Sequence, residues 1–150
     1  MVRCVTINLP NLHATEALGA RIAQALRPGD AVLLAGPLGA GKSALARALL
    51  REALANPALE VPSPSYTLVQ AYDAPWGMIW HYDLWRLDDP AQLDELGWDA
   101  AQDDAVLVEW PERLRTPPPG ALHVMLALAD GDARVASLTG WEGRPLWWHR

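Results

Sequence analysis

Ala31-Val-Leu-Leu-Ala-Gly-Pro-Leu-Gly-Ala-Gly-Lys-Ser-Ala-Leu-Ala-Arg-Ala-Leu-Leu50 decides the fold. It opens with a short continuous apolar run, Ala31 to Ala35, the pattern of a strand buried on both faces. It runs into a segment, Ser43 to Leu54, rich in Ala, Leu and Arg, with Leu45, Ala48, Leu49 and Ala53 at helical spacing. Between them Gly36, Gly41, Lys42 and Ser43 fit the spacing G-x-x-x-x-G-K-[ST] of a phosphate-binding loop. Glycines let the backbone curl so that successive N–H groups point inward at phosphate oxygens. The helix N-terminus that follows adds its own attraction for an anion. Lys42 is the only lysine of the chain, and every other basic residue apart from histidine is arginine. A compact ammonium on a flexible stem suits the slot, where a planar guanidinium does not. The Ser43 hydroxyl is of the kind that joins the shell of a Mg²⁺ retaining most of its waters.

Outward from this stretch the pattern alternates between strand and helix. Val2 to Leu9 reads as a strand, and Leu12 to Leu26 as a helix with Asn11 or Thr15 as cap. Arg27-Pro-Gly-Asp30 is a turn. After the loop helix, which ends at Asn56-Pro57, two prolines between Leu59 and Pro64 predict a loop. Leu68 to Tyr72 and Met78 to Trp85 read as strands joined around Asp73 to Gly77. Asp88 to Leu96 reads as a capped helix stopped by Gly97. Ala105 to Glu109 is another buried run, and Ala121 to Leu128 with Arg134 to Leu138 reads as a terminal hairpin. The expectation is a single α/β domain over residues 1–150. Its fold class is the P-loop NTPase three-layer sandwich, with a mainly parallel central sheet and a C-terminal antiparallel hairpin. The last ten residues, with Trp141, Trp147 and Trp148, read as a loosely ordered tail or as cover for an apolar edge.

Composition narrows the function. Of 150 residues, 51% are apolar and 20% charged, as in soluble globular proteins, and the net charge is −6. No arginine-rich stripe argues for unaided nucleic-acid binding. A single cysteine, Cys4, allows neither an internal disulfide nor a cysteine-based zinc site. The sequence shows no signal peptide and no run of membrane-spanning length, so a cytoplasmic location and no membrane partner are expected.

In such sheets ligands gather at the carboxyl ends of the strands. Glu109 ends the run Ala105 to Val108 there and is the candidate for a Mg²⁺-supporting carboxylate. In His81-Tyr-Asp-Leu-Trp-Arg86, period two puts His81 and Asp83 on one face and Trp80, Tyr82 and Leu84 on the other. Asp83 can position a water for attack on a γ-phosphate or serve the metal's outer shell. His81 alone reads as a structural histidine, and Arg86 as a phosphate clamp, a docking residue or a surface ion pair. Ser63-Pro-Ser-Tyr-Thr67 is a hydroxyl-rich loop placed where many NTPases sense the γ-phosphate.

These segments together resemble the TsaE (YjeE) family, the small P-loop ATPase of bacterial tRNA N6-threonylcarbamoyladenosine (t6A37) synthesis. The resemblance runs in order through residues 36–43, 62–69, 81–87, 95–97 and 107–113. It implies that Gly36, Pro37, Leu38, Gly39, Ala40, Gly41, Lys42, Ser43 and Ala44 hold the phosphates of ATP or ADP, with Lys42 on the β- and γ-phosphates. It further implies Ser43 and Glu109 on Mg²⁺, and Asp83 as the catalytic or metal-supporting carboxylate beside Lys42 and Glu109. Residues 63–67 become a switch-like loop, Trp110 lies near the nucleotide, and Pro10 to Leu12 near the adenine. The implied activity is ATP hydrolysis that resets a complex of TsaD and TsaB homologues, which would hold the tRNA. Three positions depart from the family pattern: Ala44 lacks a second hydroxyl, Ser65 replaces a threonine and keeps its hydroxyl, and Trp85 replaces a tyrosine.

Two other readings remain open. A small-molecule P-loop kinase commonly closes an arginine-bearing lid. Here Arg113, Arg115, Arg134, Arg144 and Arg150 are too scattered to mark one. A nucleotide-gated binding subunit without significant turnover would share every motif above.

Overall fold

A computed structural model describes residues 4–144. The elements run β1 (Cys4–Leu9), α1 (Leu12–Ala25), β2 (Ala31–Ala35), α2 (Lys42–Ala53), β3 (Val69–Ala74) and β4 (Gly77–Asp83). Then follow α3 (Gln92–Glu95), α4 (Trp98–Ala101), β5 (Ala105–Glu109), a 3₁₀ turn (Pro111–Arg113), β6 (Leu122–Leu128) and β7 (Arg134–Thr139).

The seven strands form one mixed sheet in the order β1-β7-β6-β2-β5-β4-β3. The four central strands are parallel: β2 pairs with both β5 and β6, and β4 pairs with β5. Antiparallel pairs flank them, β3 with β4 on one side and β6 with β7 and β7 with β1 on the other. The expected parallel centre and C-terminal hairpin are both present.

Alternation along the central strands feeds two cores. Val32, Leu34, Ala105 and Leu107 point to the face covered by α1 and α2. Ala31, Leu33, Val106 and Val108 point to the face covered by Leu87, Leu93, Trp98 and Ala101. Burial on both faces is why these strands are continuous apolar runs. The two long helices meet closely at Gly19, where an added Cβ would stand 2.5 Å from the Leu45 carbonyl oxygen. Asn11 caps α1 by accepting from the Ala14 N–H at 2.9 Å.

The helix expected over 88–96 is shorter, a single turn at Gln92–Glu95, and a second turn, α4, follows Gly97. The Gln92 side chain accepts from the N–H groups of Asp88 and Asp89, which folds the acidic segment into a turn outside the helix. Trp98 then packs edge-on against Tyr82, ring centres 5.0 Å apart, which ties this segment to the sheet.

Beyond the hairpin, Trp141 is buried in the core under α1 and α2. The Arg144 guanidinium makes two hydrogen bonds, of 2.8 and 2.6 Å, to the Asp30 carboxylate. Trp147 and Trp148 lie outside the described residues.

Candidate functional site

Parallel register brings the site together. Glu109 is the register partner of Leu34 on β2 and of Asp83 on β4, so β2, β4 and β5 end at one level. The chain leaves β2 through the glycine loop at that level and enters α2.

Gly36 sits at φ +142, and a Cβ there would stand 2.4 Å from the Leu126 carbonyl oxygen. No other residue fits against β6 in this way. Residues Leu38, Gly39, Ala40, Gly41, Lys42, Ser43 and Ala44 line a concave cavity of about 240 Å³. The carbonyls of Gly36 and Pro37, just before these residues, accept from the Lys42 ammonium, the Pro37 bond being 3.1 Å. The first N–H groups of α2 have no acceptor within their own helix and open into this cavity. The side chain of Arg134, at the start of β7, donates to the Gly39 carbonyl at 3.0 Å and braces the loop from outside. Thr15 of α1 reaches to 3.5 Å from where a Cβ on Gly41 would stand, so the first turn of α1 borders the loop.

Lys42 is buried, and its ammonium lies 3.8 Å from the centre of the Trp110 ring. Burial holds its pKa below the usual lysine range, and the smaller attractions of Glu109, Glu112 and Asp83 oppose that shift. Trp110 takes a left-handed backbone (φ 60) immediately after β5, and this turns its ring over the lysine. Trp85 packs on Trp110 with ring centres 4.4 Å apart. The Arg113 guanidinium lies 5.9 Å from the Trp85 ring and donates to the Leu87 carbonyl.

Two carboxylates stand at the strand ends, each in its own set of partners. Glu109, 2% exposed, accepts from the Ser43 hydroxyl on Oε1 at 3.2 Å, and its Oε2 lies 2.7 Å from His81 Nε2. Asp83 Oδ2 accepts from Ser63 at 2.9 Å and Ser65 at 3.4 Å, while Oδ1 accepts from the Trp85 N–H at 3.1 Å. The hydroxyl-rich loop is therefore in direct contact with Asp83. Arg86 stacks on exposed Tyr66 of the same loop at 4.6 Å.

The structure thus gathers Lys42, Ser43, Asp83, Glu109 and Trp110 around one loop. Pro10 to Leu12 stand at the head of α1, with Leu12 exposed. Sequence reasoning missed two contacts: His81 on Glu109 and Arg134 on Gly39. The first had a signal in the shared face of His81 and Asp83. The second had none.

The donor set suits Mg²⁺. Ser43 and Glu109 offer two hard oxygens, 3.2 Å apart. Mg²⁺ is held in this way, by one or two protein oxygens with phosphate and water completing the octahedron.

Comparison with known proteins agrees with the geometry. The family described as threonylcarbamoyl adenosine biosynthesis protein TsaE matches residues 9–135. The tRNA threonylcarbamoyladenosine biosynthesis protein TsaE of Rickettsia felis is 37% identical over 134 residues, covering 87% of this chain and 77% of that protein. The protein of the same name from Nostoc is 31% identical over 139 residues, covering 89% and 84%. The crystal structure of Bacillus subtilis YdiB superposes with a TM-score of 0.73 at 26% identity, covering 93% of this chain and 87% of that one. A family model that matches residues 9–135, and relatives 31–37% identical over most of both chains, settle the family: the chain belongs to the TsaE family.

Proposed function

We propose that this chain binds and hydrolyses Mg-ATP as a subunit of the bacterial tRNA N6-threonylcarbamoyladenosine machinery. Its turnover would reset a complex of TsaD and TsaB homologues in the cytoplasm. The tRNA would be held by those partners, in keeping with the net charge of −6 on this chain.

The observation that carries this reading is the 3.2 Å bond from Ser43 to Glu109. It joins the hydroxyl after the loop lysine to the acidic end of a neighbouring parallel strand, the two protein oxygens a Mg-nucleotide needs. When bound, Mg²⁺ would offset the charge that develops on the phosphates. Loop and helix N–H groups would hold the phosphate oxygens, with the Lys42 ammonium on the β- and γ-phosphates. Burial beneath the Trp110 ring would strengthen the attraction between that ammonium and a phosphate, since little water screens it. Asp83 would orient the attacking water or hold the metal's water shell. Trp110 would cover Lys42 and exclude solvent.

One observation favours the gated-binder reading. Both oxygens of the buried Asp83 carboxylate already accept hydrogen bonds, from Ser63, Ser65 and the Trp85 N–H. The loop at 63–67 would then have to move before Asp83 can act, and turnover alone would be slow.

The experiment is phosphate release from Mg-ATP by this chain alone, then with a purified TsaD–TsaB pair. Slow release that rises with the pair supports the proposal. Bound nucleotide with no release in either condition replaces it with the gated binder, and a phosphorylated metabolite would point to a kinase. Glu109→Ala should raise the Mg²⁺ required, and an unchanged Mg²⁺ titration would remove the metal role.

A further inference from the structure

Asp83 and Glu109 are opposite each other on adjacent parallel strands and point to the same face of the sheet. Strands lie about 4.8 Å apart, so two carboxylates in this register repel unless something turns them apart. The Asp83 carboxylate is drawn toward the loop by Ser63 and Ser65. The Glu109 carboxylate is drawn the other way by His81, two residues before Asp83 on the same face of β4. His81 is 1% exposed, and its second nitrogen, Nδ1, is buried with no hydrogen-bond partner among the described residues. Its Nε2 bond is short, 2.7 Å, and ends on the carboxylate oxygen that does not face Ser43.

We propose that His81 is a positioning residue for the nucleotide-bound metal: by holding Glu109 Oε2 it fixes the other oxygen, Oε1, toward Ser43. This rests on the reading of Ser43 and Glu109 as the Mg²⁺ pair. Outer partners of this kind orient a ligating carboxylate, and their loss typically costs 10–100-fold in metal affinity. A carboxylate freed from His81 can rotate toward solvent or meet Asp83, and Ser43 then loses its partner.

Two substitutions of like polarity separate positioning from packing. The amide nitrogen of His81→Gln reaches the place of Nε2 and can still donate to Glu109. That of His81→Asn ends near the place of Nδ1 and falls short. ADP binding by both variants and the native protein is measured by calorimetry, in EDTA and across a Mg²⁺ titration. The expected result is that His81→Asn raises the half-saturating Mg²⁺ about tenfold or more with ADP affinity in EDTA changed less than about twofold, while His81→Gln stays within about threefold of native. Equal Mg²⁺ titrations for Asn, Gln and native protein would overturn the positioning role alone. So would an equal loss with and without Mg²⁺. A native protein whose ADP binding ignores Mg²⁺ would overturn both this role and the metal pair beneath it.

Discussion

The ammonium of Lys42, a buried side chain, lies 3.8 Å from the centre of the Trp110 ring. It is held from the other direction by the carbonyls of Gly36 and Pro37. Ring face and carbonyls offer partial negative charge, but neither matches the hydration the ammonium loses. Its lowered pKa records that imbalance, with Glu109 nearby as the largest opposing influence.

A pH dependence follows with a definite sign. Where the folded-state pKa lies below the unfolded value of 10.5, the unfolded chain binds the extra proton between the two. Stability contributed by this group therefore rises with pH through that window. As the only lysine, Lys42 has no lysine background to mask it. Native protein should gain stability relative to Lys42→Met as the pH rises toward 10.5, and on the proposed function Lys42→Met should release no phosphate from ATP. Urea midpoints at four pH values test the first point. Parallel curves for the two proteins would show that burial does not dominate at Lys42.

Two glycines of the loop should respond differently to the same change. Gly36→Ala forces a Cβ to within 2.4 Å of the Leu126 carbonyl oxygen at φ +142, so the loop must leave β6. Gly39→Ala, at φ +80, meets nothing within 4 Å and carries only the left-handed backbone strain. Expected losses are about 3 kcal/mol or more for Gly36→Ala and about 1–2 kcal/mol for Gly39→Ala. Thermal unfolding ranks them. Equal losses would mean that the loop is free to move away from β6.

The sequence was most legible where local pattern and burial agree. Ala31 to Ala35 and Ala105 to Glu109 announced themselves as buried strands because both faces are covered. Period two placed His81 and Asp83 opposite Tyr82 and Leu84, as found. What stayed hidden depends on register or on distant contacts. The His81–Glu109 bond exists only because β4 and β5 pair in one register, which neither strand encodes alone. Four-residue α4 is too short for periodicity, and Trp98 is fixed instead by Tyr82 across the chain. Arg144 gave no local signal because its partner, Asp30, precedes it by 114 residues.

That distant contact makes Arg144 a stability residue. Its guanidinium bonds both oxygens of Asp30 and the Ala25 carbonyl, and stacks 4.2 Å from the Trp141 ring. Asp30 is buried and also caps the turn through the Arg27 N–H. Arg144→Ala leaves that carboxylate without its counter-charge and should cost about 2–4 kcal/mol. A double-mutant cycle with Asp30→Ala by urea unfolding should show coupling above about 1 kcal/mol. Coupling near zero would reduce the pair to a surface contact.

Tyr82 carries an alkaline limit on the fold. Its ring is fully buried against Trp98, its hydroxyl donates to the Leu96 carbonyl at 3.0 Å, and burial pushes its pKa up to about 12. The unfolded tyrosine releases its proton near pH 10, so above that pH the folded state holds a proton the unfolded chain has lost. Its contribution is complete below pH 10 and is lost as the pH rises through the folded value. Tyr82→Phe removes this titration and should cost about 1 kcal/mol at pH 7, the worth of one hydrogen bond. Its stability should then fall less steeply between pH 10 and about 12 than that of the native protein. Tyr72, also raised by burial, is present in both proteins and cancels in the difference. Identical alkaline slopes would show that the Tyr82 hydroxyl can reach water in the folded state, against the packing of Trp98 and Leu96 around it.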